Sequence, residues 1–156
     1  MRKLLLAIAA GALSFAAQAQ MPSYGPSINL EQARKAIAAG QVEARKNGWP
    51  MAIAVLDTAG NLVAFEKMDD TQTGSIDVAV DKARTSAIYR RSTKVIQDAV
   101  SGGGGGLRFL TLRAASAVEG GLPIVVNGKV IGAIGVSGAN PDQDGMVAKA
   151  GADALK

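Results

Sequence analysis

One segment of the chain carries polar side chains that could do chemistry. When residues 75–89 are drawn as a helix at about 100° per residue, Lys82 and Thr85 fall between Val78 and Tyr89, opposite an alanine-rich stripe. A solvated helix surface is the simplest interpretation of this face. The alternative is an amphipathic wall of a ligand pocket or of a subunit interface, where tyrosine is favoured and polar groups orient a ligand.

Two aspartate pairs, Asp69–Asp70 and Asp142/Asp144, could hold a hard cation or act as acid and base. A helix start after Asn140 accounts for Asp142, because an acidic side chain in the first helical turn stabilises unpaired N–H groups and the helix dipole. Asp69 is compatible with either a turn residue or a site residue, since it follows a predicted strand at a sheet edge. No metal site is predicted.

Histidine and cysteine are both absent from the 156 residues. Their absence excludes Ser-His-Asp and Cys-His catalysis, zinc sites built from thiolate or imidazole, and the usual proximal histidine of haem. The run Gly102 to Gly106 lacks the Lys-Ser/Thr that closes a phosphate-binding loop, so we expect a flexible surface loop there.

The first 19 residues have the pattern of a cleavable secretory signal. Arg2 and Lys3 precede an apolar run from Leu4 to Phe15, and Ala17-Gln18-Ala19 is a small-x-small cleavage site. We therefore expect a periplasmic or secreted protein of residues 20–156. The apolar run is too short for a membrane anchor. Loss of the two signal cations lowers the net charge from +4 by two, and nucleic acid is not an expected partner.

Local signals predict a single α+β domain of helices and hairpins. A capping box of Asn29 and Gln32 starts the first helix and Gly48 ends it. Asn127-Gly128 is a strong hairpin turn signal. The remaining predicted elements are strands at Met51–Asp57, Asn61–Met68, Leu122–Val126 and Lys129–Ser137, a possible fifth edge strand at Leu110–Val118, and helices at Ser75–Tyr89, at Thr93–Val100 and after Asn140.

Several short segments, taken together in order, resemble the GlcG/HbpS family, which includes the haem-binding domain fused to PduO-type proteins. They are Ala52–Asp57 with Gly60–Val63, Met68-Asp69, Asp81–Thr85, Gly121–Ile124, Gly132–Gly138 and Pro141–Asp144. The resemblance implies a profilin-like two-layer fold with a five-stranded antiparallel sheet. It also implies symmetric homo-oligomers, from dimers to octamers, and a function in handling haem or a related tetrapyrrole.

The resemblance also implies a set of ligand-binding residues: Asp69, Lys82, Thr85, Ser137 and Asp144. In this assignment Lys82 pairs with a carboxylate of the ligand, the two hydroxyls donate hydrogen bonds to it, and Asp144 could instead hold the lysine in place.

Haem-binding members of the family often use histidine at the iron. Since this chain has none, the iron ligands available to it would be Met68, Tyr24 or Tyr89.

Three functions are compatible with these patterns. The first is an exported protein that binds a small anionic ligand, with haem or another tetrapyrrole foremost. The second is an enzyme acting on a small organic acid, with Lys82 as base or carboxylate anchor and Asp69 as acid; burial could lower the pKa of the lysine enough for this. The third is a structural oligomeric module in which the face of Val78, Lys82 and Tyr89 is only a subunit contact.

Overall fold

The computed structural model describes residues 21–156. The predicted signal, residues 1–19, and its cleavage site lie outside the described residues. Four helices, one 3₁₀ helix and four strands follow one another along the described part of the chain. They are α1 (Leu30–Asn47), β1 (Ala52–Asp57), β2 (Leu62–Lys67), α2 (Ser75–Tyr89), α3 (Thr93–Ser101), the 3₁₀ helix (Gly104–Thr111), β3 (Gly121–Val126), β4 (Lys129–Ser137) and α4 (Pro141–Asp153).

The four strands form one antiparallel sheet in the order β2-β1-β4-β3. Both hairpins form as predicted. Gly60 has a φ of 83° in the first turn, and Asn127 and Gly128 have φ values of 49° and 72° in the second. The positive φ values match the twist of a tight hairpin turn. The α+β class and the antiparallel sheet are therefore confirmed.

The predicted fifth strand at Leu110–Val118 is wrong, and the sheet has four strands. The 3₁₀ helix takes up the first part of this segment, and residues 112–120, which we call the strap, follow it as irregular chain. Side chains of α2 bind the strap backbone in place of a neighbouring strand: Tyr89 donates to the carbonyl of Arg113, and Thr85 accepts from the N–H of Ser116. Gly104 to Gly106 begin the 3₁₀ helix, so the expected glycine loop is mostly helical.

The outer edge of β3 offers few free donors. Gly121 donates its N–H to Thr93 Oγ1, 2.9 Å away, which shows that this residue faces away from β4. Pro123, two residues on, has the same orientation because side-to-side alternation in a strand has a period of two, and proline has no N–H. The hydrogen-bonding rim of β3 is therefore interrupted.

Helices cover both faces of the sheet, so the domain has three layers where the family resemblance implied two. Strand β1 shows the division. Ile53 and Val55 pack in the larger core with α1 and α4, while Ala54 and Leu56 face α2 on the other side. A strand with both faces buried reads as a continuous apolar run, which is the pattern of residues 51–56.

Close contact between α2 and β4 depends on glycine at position 135. A Cβ atom there would lie 2.0 Å from the carbonyl oxygen of Ala79 and 2.4 Å from the backbone nitrogen of Ala83. The helix backbone thus rests directly on the strand. The alanines of α2 allow the same approach from the other side, because they add little volume between the two elements.

We expect Gly135→Ala to destabilise the protein by about 3 kcal/mol or more, since the new methyl group overlaps helix backbone that cannot rotate away. Gly74→Ala is the matched control, because nothing lies within 4 Å of a Cβ at Gly74 and its φ is −63°. Urea unfolding measures both. Equal midpoints for the two variants would show that α2 does not rest on Gly135.

Candidate functional site

Lys82 is fully buried in the middle of α2. Its Nζ atom donates to Asp144 Oδ2 at 2.7 Å and to the carbonyl oxygen of Val136 at 3.0 Å. The solvated-face interpretation is therefore wrong at this position. The lysine instead joins α2 to the end of β4 and to the first turns of α4.

Asp144 receives hydrogen bonds from more than the lysine. Its Oδ1 accepts from the backbone N–H of Ala139 at 3.1 Å, within the turn between β4 and α4. This turn leads into α4 through a capping interaction in which Gln143 accepts from the N–H of Asn140. The sequence signals that start the helix therefore also aim Asp144 at Lys82.

The electrostatics of the pair follow from its burial. Burial lowers the pKa of Lys82, and the hydrogen bond and charge of Asp144 oppose that shift. Burial likewise raises the pKa of Asp144, against the opposing effect of Lys82. Each charged form is thus tolerated in the interior because the other is present, and removal of either partner leaves an uncompensated charge.

The strap closes over this pair at Gly120. A Cβ atom on Gly120 would lie 2.8 Å from Lys82 Nζ and 2.6 Å from the carbonyl oxygen of Val136. The φ of Gly120 is 125°, which only glycine adopts readily. A side chain at position 120 would therefore break the ion pair or displace the strap.

Thr85 lies one turn further along α2 and holds the strap in place. Its Oγ1 accepts from the N–H of Ser116 at 2.8 Å and lies within donor distance of the carbonyl oxygens of Asp81, at 2.7 Å, and Ala114, at 3.0 Å. Tyr89 adds a bond of 2.7 Å to the carbonyl of Arg113. The hydroxyl of Thr85 is thus bound to the protein's own backbone.

Ser137, next to Val136 on β4, donates to Ser75 Oγ at 3.1 Å. Ser75 in turn accepts from Gln72 Nε2 at 3.0 Å. This chain of side chains joins the start of α2 to the last residue of β4. The structure therefore pairs Lys82 with Asp144, and it places Ser137 next to the residue whose carbonyl Lys82 binds, with the Ser137 hydroxyl hydrogen-bonded to Ser75.

Asp69 does not join this network. It lies at the same end of the sheet as Ser137, because the first residue of β1, Ala52, pairs with Lys67 on one side and with Ser137 on the other. Its side chain is exposed, however, and lines a shallow polar depression with Gln41 and Arg45. Lys82, the base considered for an enzyme, is fully buried and paired with Asp144, whereas Asp69, the acid, is exposed in this depression.

The strap separates the buried network from two surface clefts. The larger one, which we call the apolar cleft, has a volume of about 280 Å³. A smaller cleft of about 170 Å³ lies along residues 119–122, so that Gly120 belongs both to its wall and to the cover of Lys82. The apolar cleft is lined by Val78, Asp81, Leu112, Ala114, Ala115, Ser116 and Val118.

Three large apolar side chains of the apolar cleft are solvent-accessible: Val78 is 38% exposed, Leu112 36% and Val118 41%. Leu112 and Val118 fall within the possible edge strand Leu110–Val118, so the sequence did not indicate them as site residues. The signal that could have identified them is the apolar composition of this segment, because its side chains lack a helix or strand partner that would bury them.

Residues 28–153 match the family described as "Haem degrading protein HbpS-like". This chain belongs to the HbpS-like family. Protein GlcG of Escherichia coli K12 is 44% identical over 110 residues, which are 70% of this chain and 81% of GlcG. A double mutant of Streptomyces reticuli HbpS has a TM-score of 0.77, with 26% identity, and the match covers 100% of this chain and 99% of that one.

A further solved structure, the PduOC:haem complex, has a TM-score of 0.75 and 23% identity over 83% of this chain and 96% of its own. At that identity the similarity establishes the shared fold. The family match and the identity with GlcG confirm the family assignment made from the short sequence segments.

The side chains considered as haem iron ligands are already engaged in this HbpS-like chain. The Tyr24 hydroxyl donates toward the carbonyls of Ala87 and Ile88, at 2.9 and 3.0 Å, and the Tyr89 hydroxyl donates to the strap. Met68 packs against the larger core. None of the three fits an axial position without giving up these contacts.

Among residues 21–156, every helix is too short or too polar to span a membrane. The same residues contain no group of three or more acidic side chains placed to hold a metal ion.

We expect Asp144→Asn to destabilise the HbpS-like domain by about 3–5 kcal/mol at neutral pH, because it leaves the charge of Lys82 buried without a counter-charge. Adding Lys82→Met should restore most of the loss. Asp98→Asn, which removes the exposed partner of Lys94, is the control and should leave the free energy of unfolding almost unchanged. Urea unfolding of these three variants, of Lys82→Met alone and of the unmodified protein measures the coupling.

The same cycle has a pH dependence of known sign. Burial holds the pKa of Lys82 below its ordinary value of 10.5 in the folded state, and loss of Asp144 lowers that pKa further. The folded state then binds fewer protons than the unfolded state, so stability rises with pH between the two pKa values. The deficit of Asp144→Asn should therefore shrink as the pH approaches 10.5. A deficit that stays constant with pH would mean that the loss of Asp144 does not lower the folded-state pKa of Lys82.

Proposed function

We propose that this protein binds haem or a related tetrapyrrole, and that the ring lies in the apolar cleft against α2 and the strap. The observation that carries the proposal is the exposure of Val78, Leu112 and Val118 in one concave surface of a chain from the HbpS-like family. Ligand sites are typically concave and apolar with a few polar groups. The description of the family as haem-degrading and the haem bound in the PduOC complex support the ligand class.

The surroundings of the apolar cleft suit a flat amphiphilic ligand. Leu107 and Leu110 on the adjoining 3₁₀ helix are also exposed, and that helix has no buried residue. An exposed apolar surface of this kind usually marks a ligand or partner site. A tetrapyrrole offers an apolar ring for such a surface and carboxylates that can remain in water or meet a cation.

In this proposal Lys82 and Thr85 are positioning residues. They hold the strap from behind through Gly120, Ala114 and Ser116, and the same strap residues line the two clefts on the outside. The motif residues would then shape the walls of the site without touching the ligand. The buried ion pair of Lys82 and Asp144, at 2.7 Å, would then set the position of the surface that binds the ligand.

We expect Val78→Asp to weaken haem binding at least about tenfold, because an unpaired carboxylate would be desolvated under the ring. Val42→Asp is the matched control: Val42 is an exposed helical valine on α1, which covers the opposite face of the sheet. An absorbance titration at micromolar haem measures both. Absence of any Soret shift with the unmodified protein would reject haem as the ligand, and equal affinities of the two variants would reject the apolar cleft.

We further propose that the protein is exported, loses residues 1–19 and forms a homo-oligomer, as the signal pattern and the family resemblance predict. Native mass spectrometry of protein recovered from outside the cytoplasm should give a subunit that begins at Gln20 and an assembly of two to eight copies. A subunit that retains Met1 would contradict cleavage, and a single copy at micromolar concentration would contradict the assembly.

A further inference from the structure

Two arginines converge on one aromatic ring beside the strap. The guanidinium carbon of Arg91, just after α2, lies 5.9 Å from the ring centre of Phe109, and that of Arg108 lies 5.8 Å from the same centre. We call these three residues the arginine–phenylalanine cluster. Stacking on an aromatic face limits the motion of a guanidinium and leaves its N–H edge directed outward.

The cations of this cluster have no acidic partner. Within residues 21–156, neither Arg91 nor Arg108 lies within 4 Å of a carboxylate oxygen, whereas Arg84 pairs with Asp81 at 3.2 Å. Among the described residues, Arg91 donates to the carbonyl of Tyr89 at 3.4 Å and to the sulfur of Met21 at 3.3 Å. Each guanidinium has five N–H donors, so both retain donors for an anion.

The cluster adjoins the apolar cleft through the chain itself. The N–H of Leu112, a cleft residue, donates to the carbonyl of Phe109 at 3.2 Å. The hydroxyl of Tyr89, two residues before Arg91, binds the carbonyl of Arg113. The cluster is thus joined to the apolar wall through Leu112 and through Tyr89. An apolar wall with two guanidiniums on the segments that adjoin it matches a flat apolar ligand with carboxylates at its rim.

The two arginines are available to the carboxylates of a haem, but the apolar cleft offers the haem iron no comparable protein ligand. The sequence has no histidine or cysteine, the tyrosine hydroxyls are committed to backbone carbonyls, and the polar side chains of the cleft itself are Asp81, paired with Arg84, and Ser116. Neither is among the usual protein ligands of haem iron, which are histidine, cysteine, methionine and tyrosine. Met21 and Met146 are exposed, but neither is among the cleft-lining residues, and the sulfur of Met21 accepts from Arg91 at 3.3 Å.

We propose that this protein recognises its tetrapyrrole as a flat organic carboxylate, with Arg91 and Arg108 binding the carboxylates, the apolar cleft binding the ring, and no bond from the protein to the metal. The inference rests on the proposed function and adds its ligand specificity. Metal-free porphyrins, and other planar tetrapyrroles with propionate groups, are therefore ligands equivalent to haem.

The test compares three ligands on the same protein: haem, metal-free protoporphyrin IX, and the dimethyl ester of protoporphyrin IX. Absorbance follows the first, and porphyrin fluorescence follows the other two in a solution that keeps them monomeric. We expect haem and metal-free protoporphyrin to bind within about threefold of each other. The dimethyl ester should bind at least about tenfold more weakly, since it lacks the charge-assisted hydrogen bonds.

Substitutions then assign the carboxylate contacts. The double variant Arg91→Gln/Arg108→Gln should weaken metal-free protoporphyrin at least about tenfold while changing the affinity of the dimethyl ester by less than about twofold. Arg34→Gln on α1, at the opposite face of the sheet, is the matched control and should change neither. The difference between acid and ester separates a lost carboxylate contact from a general disturbance of the surface, which would weaken both ligands alike.

The outcomes distinguish this inference from the proposed function. Binding of haem but not of metal-free protoporphyrin overturns the inference and leaves haem binding standing. Equal affinity for the acid and its ester, or an unchanged acid affinity in the arginine variant, removes Arg91 and Arg108 from the site. No binding of any of the three ligands overturns the proposed function as well.

Discussion

A lysine charge inside the domain is the constraint on which the surrounding structure depends. Lys82 reaches three parts of the chain at once: the end of β4, the first turns of α4 and the glycine in the strap. An unpaired ammonium in such a place would cost several kcal/mol, so the acceptors must arrive together. The order of the strands, the capping of α4 and the small residue at position 120 all serve that requirement.

Much of the fold follows from signals that act over a few residues. Asn29 with Gln32, and Asn127 with Gly128, specify a helix start and a hairpin through contacts between near neighbours, and both formed as predicted. The strap was not predictable in this way, because its conformation depends on hydroxyls of α2 some 24 to 31 residues away. Periodicity alone cannot distinguish a strand edge from chain captured by side chains.

In the site, too, some features follow from the sequence and others depend on contacts between distant residues. Lys82 and Asp144 could be named from the family resemblance, yet their burial and their mutual pairing are tertiary facts that join positions 62 residues apart. Asp69 appeared equivalent to them in the sequence but lies exposed in another depression. Residues that the resemblance groups together therefore have different roles here. Lys82 and Asp144 fix the backbone from within, whereas the surface that this backbone presents consists of ordinary apolar residues and arginines.

The interrupted rim of β3 limits how copies of the chain can associate. With Gly121 bound to Thr93 and Pro123 lacking an N–H, strand addition is favoured at one side of the sheet, along β2. When two copies join through β2 around a twofold axis, both β2 edges become paired, and the interrupted β3 edges lie at the two outer sides of the combined sheet. Growth by sheet extension then ends at a pair, so any larger ring must be built from other surfaces, and an open-ended fibre of this fold is disfavoured.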